Sequence, residues 1–348
     1  MNRLQTIDAD TLQSTAYEPV SFVVDDLLPQ GLHLLAGAPK IGKSWLALWL
    51  CLCAAQGKPL WTFATRPCEV LYLCLEDSFQ RIQSRLFDLT EDAPPTLHFA
   101  VMSQQLHNGL VEQIEQFLKE HPQTRLIVID TLQRIRTAGN DANAYASDYR
   151  DIGVLKALAD KHRIAILLVH HLLKMNDDDP MNMISGTTGL SGATDSNFVL
   201  RKSQRRENTA TLYCTGRDIP YRELALEFDG EDHVWKLLSD DCEQTEQPSE
   251  RILFLLSELL RRQPEISAPA KVLLEKIDPA GAEGLTPKSF SHRIRKSVDA
   301  LRRSGITVSF RKSNGDRLIC LKRADGVDDL TTENIVTIDP DNPPCFGV

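Results

Sequence analysis

Gly37-Ala38-Pro39-Lys40-Ile41-Gly42-Lys43-Ser44 fits the pattern GxxxxGK[ST], and its flanks give that pattern physical meaning. The apolar run Leu32-His33-Leu34-Leu35-Ala36 before it reads as a buried strand, and Trp45-Leu46-Ala47-Leu48-Trp49-Leu50 after it as a buried helix. In a strand–loop–helix unit the glycines let backbone N–H groups close around β- and γ-phosphates, and the helix N-terminus adds partial positive charge. Lys43 supplies a fixed cation, and Ser44 a hydroxyl of the kind that ligates Mg²⁺. The eight residues from Gly37 to Ser44 are therefore the expected cradle for a nucleoside triphosphate.

Three apolar strands downstream each run into polar residues. Residues 69–75 lead to Glu76-Asp77, residues 125–129 to Asp130-Thr131, and residues 164–169 to His170-His171. In an open α/β sheet the ends of the strands border the ligand crevice. After a phosphate loop, an apolar strand ending in Asp is the usual second half of the site, its carboxylate holding Mg²⁺ directly or through water. Asp130 thus joins Ser44 as a metal residue. A His at such a strand end can donate to a γ-phosphate without changing charge, which makes His170 and His171 both candidates. Helical patterns at 79–88, 110–120 and 145–162 fall between the strands, the alternation that builds a parallel α/β sheet.

The strand ends LCLEDS, IVIDT and LLVHH, with the phosphate loop and the segment SGTTGLSGATD at 185–195, resemble the RecA-like, AAA-type ATPases of the plasmid RepA replicative helicase type. The resemblance covers about residues 22–238. It implies a RecA-like P-loop core, ATP and Mg²⁺ as cofactors, hydrolysis of ATP, and a homo-oligomeric ring, a hexamer. Glu76 inherits the role of base that activates the attacking water, Asp130 the magnesium role, and His170 or His171 that of phosphate sensor. Residues 172–197 correspond to a channel-facing loop that touches single-stranded DNA. Only Lys174 is basic there, so contact would rest on backbone N–H groups, Thr187, Thr188 and Ser191; the alternative is a turn packed on the neighbouring subunit. Strands at 197–202, 210–214 and 224–228 follow. In the turn Thr215-Gly216-Arg217-Asp218, Arg217 best matches the basic residue that reaches into the neighbour's ATP site. Arg205 and Arg206 are rivals, and simple pairing of Arg217 with Asp218 is the other reading.

Composition limits what else the chain can be. Its 348 residues suffice for one large α/β core and a smaller domain. The longest apolar run, 45–55, is too short to span a membrane, and the N-terminal MNRLQTIDADTLQ has no apolar signal core, so a cytoplasmic protein is expected. The eight cysteines form no CxxC pair and no Cys/His cluster in sequence, so neither a disulfide nor zinc is expected.

Charge is divided unevenly along the chain. The net charge is −9, yet residues 285–323 carry eleven Lys and Arg against Asp299 and Asp316, a local +9 that leaves −18 for the rest. Residues 324–348 hold six acidic residues and no basic one. Helical patterns from 249, at 268–277 and at 286–304, then a hairpin of 307–312 and 317–322 around Asn314-Gly315, read as a winged-helix-like domain. Its Arg293, Arg295, Lys296, Arg302, Arg303, Arg311 and Lys312 are the expected duplex-DNA contacts, with a solvated face or pairing to the acidic body as the alternative.

The expected organisation is an N-terminal arm 1–21, an ATPase domain 22–239, a linker 240–248, a basic winged-helix-like domain 249–323 and an acidic tail 324–348. The expected activity is that of a ring-shaped DNA helicase or translocase in plasmid, phage or mobile-element replication. An ATP-switched regulatory or assembly ATPase that binds DNA without unwinding it would need the same site.

Overall fold

A computed structural model describes residues 6–15, 17–136, 144–172, 180–184, 188–202, 208–242, 250–279, 281, 284–313 and 316–323. The chain forms two compact units, one from residues 20–245 and the other from its two ends. The first element, α1 (Ala9–Ser14), belongs to the second unit.

In the larger unit, β1 (Phe22–Val24) and β2 (Leu28–Pro29) make a small hairpin. The main sheet contains β3 (Gly31–Gly37), β4 (Glu69–Cys74), β5 (Leu97–Ala100), β6 (Thr124–Asp130), β7 (Ala165–His171), β8 (Ser196–Arg201), β9 (Thr209–Gly216), β10 (Arg222–Phe228) and β11 (Trp235–Cys242). Its order is β11-β10-β9-β8-β3-β7-β6-β4-β5. From β8 to β5 all neighbours are parallel, and β9 to β11 extend the sheet antiparallel. The helices are α2 (Lys43–Gln56), α3 (Phe79–Leu89), α4 (Val111–Glu120), α5 (Leu132–Ile135), α6 (Ala144–His162) and α7 (Thr188–Ala193). No described helix is long and apolar enough to cross a membrane.

The continuous apolar runs of β3, β6 and β7 are what a strand buried on both faces requires. Alternation along each strand then divides the core. Val70, Tyr72, Leu126, Val128, Leu167 and Val169 pack with Leu46, Leu50 and Cys51 of α2. Leu71, Leu73, Ile127, Ile129, Ile166 and Leu168 pack on the opposite side with Ile114, Leu118, Ile152 and Leu155. The same two-residue period carries Asp130 and His171 to the α2 face and His170 to the other. The described cysteines are all unpaired, and Cys51, Cys53, Cys74 and Cys214 serve as small core residues.

The smaller unit contains α8 (Glu250–Arg262), β12 (Glu265–Pro269), α9 (Ala270–Ile277), α10 (Pro287–Lys296), α11 (Val298–Arg303), β13 (Ile306–Ser313) and β14 (Asp316–Arg323). The strands form an antiparallel sheet ordered β12-β14-β13. Ile252, Leu256, Leu260, Leu273, Phe290, Ile294 and Leu321 build a separate core. The register sets Ser313 opposite Asp316, spacing the strands for a two-residue turn, while Asn314 and Gly315 lie outside the described residues. The acidic tail, 324–348, also lies outside them.

Several expectations change. The N-terminal arm contains a helix, because Asp8 caps α1 by accepting from the Thr11 N–H at 2.9 Å. The expected linker begins too early: β11 runs through Asp240, Asp241 and Cys242, which pair with Leu224, Glu223 and Arg222. As a sheet edge it tolerates polar residues, and a 2.6 Å ion pair joins Arg222 to Asp240. The remaining linker residues, 243–248, are outside the described set. A strand, β12, takes up residues expected at the start of a helix, since Ile266 and Ala268 alternate inward opposite Leu321 and Ile319. The third basic helix is two, α10 and α11. Buried Ser297 bonds through its hydroxyl to the Arg293 carbonyl at 2.8 Å and interrupts the helix there.

Candidate nucleotide site

The phosphate loop closes β3 at Gly37 and opens α2 at Lys43. Gly42 has φ 108°, and a Cβ there would stand 3.0 Å from the Trp235 ring, so both backbone and space demand glycine. Trp235 is fully buried and its Nε1–H donates to the Gly42 carbonyl at 3.3 Å. The loop therefore rests on a side chain from β11, the strand that sequence periodicity missed. Ala38, Pro39 and Lys40 are exposed at the loop's crest, and Ile41 is buried beneath it.

Lys43 is only 5% exposed. Its ammonium donates to the carbonyls of Gly37 at 2.8 Å and Ala38 at 3.0 Å, and lies 3.3 Å from His171 Nδ1. Burial lowers its pKa to about 8, with the negative charges of Asp130 and Glu76 opposing that shift. In the free protein the cation is thus lost as pH rises through about 8, whereas bound phosphates would retain it. ATP affinity should fall by about tenfold per pH unit between pH 8 and 10, as one-proton linkage requires. Calorimetric titration across that range checks the slope; a flat profile would remove Lys43 from the binding step.

Asp130 is 6% exposed at the end of β6. Its Oδ2 accepts from Ser44 Oγ at 2.7 Å and from Tyr72 Oη at 3.0 Å. Burial raises its pKa, against the lowering effect of those hydrogen bonds. A hydroxyl and a carboxylate at this separation match adjacent corners of an octahedron with ~2.0–2.1 Å bonds, the geometry Mg²⁺ demands. Ser44 and Asp130 therefore fit Mg²⁺ as a pair. Tyr72 was not anticipated, although its position four residues before Glu76 on β4 puts it on the α2 face.

Glu76 stands at the crevice with 45% of its side chain exposed, accepting from Thr131 Oγ1 at 3.1 Å and lying 3.8 Å from Arg134 Nε. Its neighbour Asp77 is instead clamped to Arg81 at 2.8 Å and Arg85 at 2.6 Å along α3. Of the two acids, Glu76 is the one presented to the site. His171 faces Lys43, while His170 is buried on the far side of β7. The phosphate-facing histidine is thus His171, and His170 does not join the site.

Arg217 follows β9 at the opposite end of the sheet from the phosphate loop: Gly216 pairs with Ser196, Ser196 with His33, and Gly37 with Leu200. It is 63% exposed and 3.4 Å from Asp195, rather than paired with Asp218. Arg205, Arg206 and Thr187 lie outside the described residues, and Thr188 opens α7. Nearby Leu190 and Ile184 are buried in the core, so part of the expected channel loop packs on its own domain.

In the smaller unit Arg293, Arg295 and Lys296 fall on α10, Arg302 and Arg303 on α11, and Arg311 and Lys312 on β13. The Arg295 guanidinium stacks on Phe310, 4.4 Å from the ring centroid. A cleft of about 880 Å³ runs between α1, α10 and the β13–β14 strands, with Lys288, His292, Arg295, Arg311 and Arg317 along it and Asp10 on its α1 side.

A family profile described as an AAA domain matches residues 2–177. No curated protein matches the chain. Among solved structures, the fold resembles an isolated ATPase domain, with a TM-score of 0.51 and 16% identity over 60% of this chain and 85% of that one. It also resembles a chain from the structure of a DnaB-like replicative helicase and its interactions with primase, with a TM-score of 0.50 and 16% identity over 60% of this chain. The match spans 58% of that second chain, less than two thirds of its length. At such identity the likeness is one of fold, and that fold is the RecA-like ATPase core.

Proposed function

The chain belongs to the AAA domain family, and we propose that it is a cytoplasmic ATP-hydrolysing DNA helicase or translocase of the plasmid RepA type, acting as a hexameric ring in plasmid, phage or mobile-element replication. The observation that carries this reading is the convergence of Lys43, the Ser44–Asp130 pair, Glu76 and His171 at one end of the parallel strands. Mg²⁺ held by Ser44 and Asp130 would neutralise phosphate charge. Lys43 binds and orients the phosphates, Glu76 takes the proton of the attacking water, and His171 donates to phosphate without altering the site's charge. Strand displacement on a forked duplex with ATP tests the reading. ATP-dependent DNA binding with no displacement would make the protein an ATP-switched regulator instead.

Glu76→Gln keeps the carboxylate's shape but loses the base. ATP should still bind, while turnover falls by ~10²-fold or more, the usual scale for losing a general base. Asp77→Asn should leave chemistry largely intact, because Asp77 serves α3. The reverse ranking in a phosphate-release assay would exchange the two roles.

The smaller unit's element order and basic cleft support a winged-helix-like module holding duplex DNA. Deleting everything after Pro248 should leave ATP binding in place, since Lys43, Ser44, Glu76 and Asp130 all precede that point. Duplex affinity should drop, and the log–log salt slope should become shallower by about 0.9 for each phosphate contact removed. An unchanged slope would mark the module as a protein-interaction domain.

A further inference from the structure

Glu69, His98 and His121 meet at the end of the sheet opposite the phosphate loop. Glu69 opens β4, His98 lies on the adjacent β5, where its neighbour in register is Leu71, and His121 caps the C-terminus of α4. The turn that presents His121 is pinned to β4: Thr124 donates to the His121 carbonyl through its N–H at 3.1 Å and its hydroxyl at 2.7 Å, and the Glu69 N–H donates to the Gln123 carbonyl at 3.2 Å. One ligand atom from each of the three side chains lies within 4.8 Å of the others.

Hydrogen bonding leaves part of this cluster unexplained. His121 Nδ1 and Glu69 Oε1 are 3.3 Å apart, which accounts for that pair. His98 Nε2 is 4.0 Å from the same oxygen, too far to bond. Glu69 Oε2 and His98 Nε2 are buried and have no hydrogen-bond partner among the described residues. Unsatisfied buried polar atoms are costly, and two aimed at one point imply an occupant. Phe117 stacks on His121 with centroids 4.4 Å apart and meets His98 edge-on at 5.3 Å, holding both imidazoles from the apolar side.

We propose that Glu69, His98 and His121 form a binding site for a divalent transition metal of the Zn²⁺ class, with water completing the coordination. Ligands on a tetrahedral ion with bonds of ~2.0–2.1 Å stand ~3.3–3.4 Å apart, the separation already present between His121 and Glu69. His98 reaches the same geometry by a sub-ångström movement. Two imidazoles and one carboxylate select zinc-like ions over Mg²⁺ and Ca²⁺, which take all-oxygen sets. With Glu69 and Glu76 at opposite ends of β4, the metal takes no part in phosphate chemistry. It joins β4, β5 and the α4–β6 turn at the edge of the sheet. No sequence motif announces it, because the ligands are separated by 29 and 23 residues.

The test uses full-length protein stripped with EDTA, held in saturating Mg²⁺ and titrated with Co²⁺. The expected result is one equivalent of Co²⁺ with the intense visible absorption of low coordination, displaced by one equivalent of Zn²⁺, and a Tm raised by several degrees with Zn²⁺. His98→Phe, which keeps the packing against Phe117, should abolish both the absorption and the Tm shift. Glu69→Gln should weaken Co²⁺ binding at least tenfold and serves should His98→Phe fail to fold. His107→Gln, outside the cluster, should change neither. Absence of the Co²⁺ band, or a band that survives Glu69→Gln but disappears in Asp130→Asn, overturns the proposal.

Discussion

Lys43→Ala should eliminate ATP turnover, lowering it by ~10³-fold or more, and should weaken ATP binding. The magnitude follows from where the charge sits. An ammonium 5% exposed, fixed by two loop carbonyls and facing His171, acts on phosphate at low effective dielectric, where such preorganised charge contributes most to transition-state stabilisation. The fold should survive, because Ala is the best helix former and α2 is held by Leu46, Leu50 and Cys51 rather than by its first residue. Lys43→Arg should be nearly as inactive, since the cradle of Gly37 and Ala38 carbonyls fits a compact ammonium and not a planar fork. Phosphate release under single-turnover conditions, with circular dichroism as the control for folding, measures the effect. Turnover near the wild-type rate in either variant would refute the assignment of the phosphate loop.

How far the sequence carried this site depends on whether its signal was local. The loop Gly37–Ser44, the acid Asp130 and the strands beneath them follow from runs of apolar residues that end abruptly, a pattern confined to one segment at a time. The choice between adjacent residues was also available in principle: counting by twos from Leu167 and Val169 reaches His171, and counting by twos from Leu126 reaches Asp130. Glu76 and Asp77 could not be separated that way, since what distinguishes them is the capture of Asp77 by Arg81 and Arg85 across α3. Trp235 was illegible for a different reason. It sits 193 residues from the Gly42 carbonyl it bonds, on an edge strand whose Ser239, Asp240 and Asp241 conceal any apolar alternation. The Glu69–His98–His121 cluster had the same character, being assembled by register between strands and not by spacing along the chain.

Arg217→Ala should bind nucleotide normally and hydrolyse it ~10³-fold more slowly, the lower range for loss of an arginine supplied across an interface. The register forbids a role in its own site. Arg217 stands where the parallel strands begin and the phosphate loop where they finish, so the seven residues of β3, at about 3.3 Å each, separate them by roughly 20 Å. What remains for a 63% exposed guanidinium at that edge is a partner in another copy. Its own chain restrains it weakly: the contact to Asp195 is 3.4 Å, and Asp195 is already engaged by Lys156 at 2.8 Å and the Leu32 N–H at 2.9 Å. For the same reason the substitution should not unfold the domain. Mixing Arg217→Ala with Lys43→Ala protein should recover part of the activity, because a hybrid interface can pair the intact phosphate loop of one subunit with the intact arginine of the next. Turnover per chain should then rise with protein concentration. Recovery that fails to appear, together with a monomer whose rate is independent of concentration, would show that hydrolysis is complete within one chain and that Arg217 serves only Asp195.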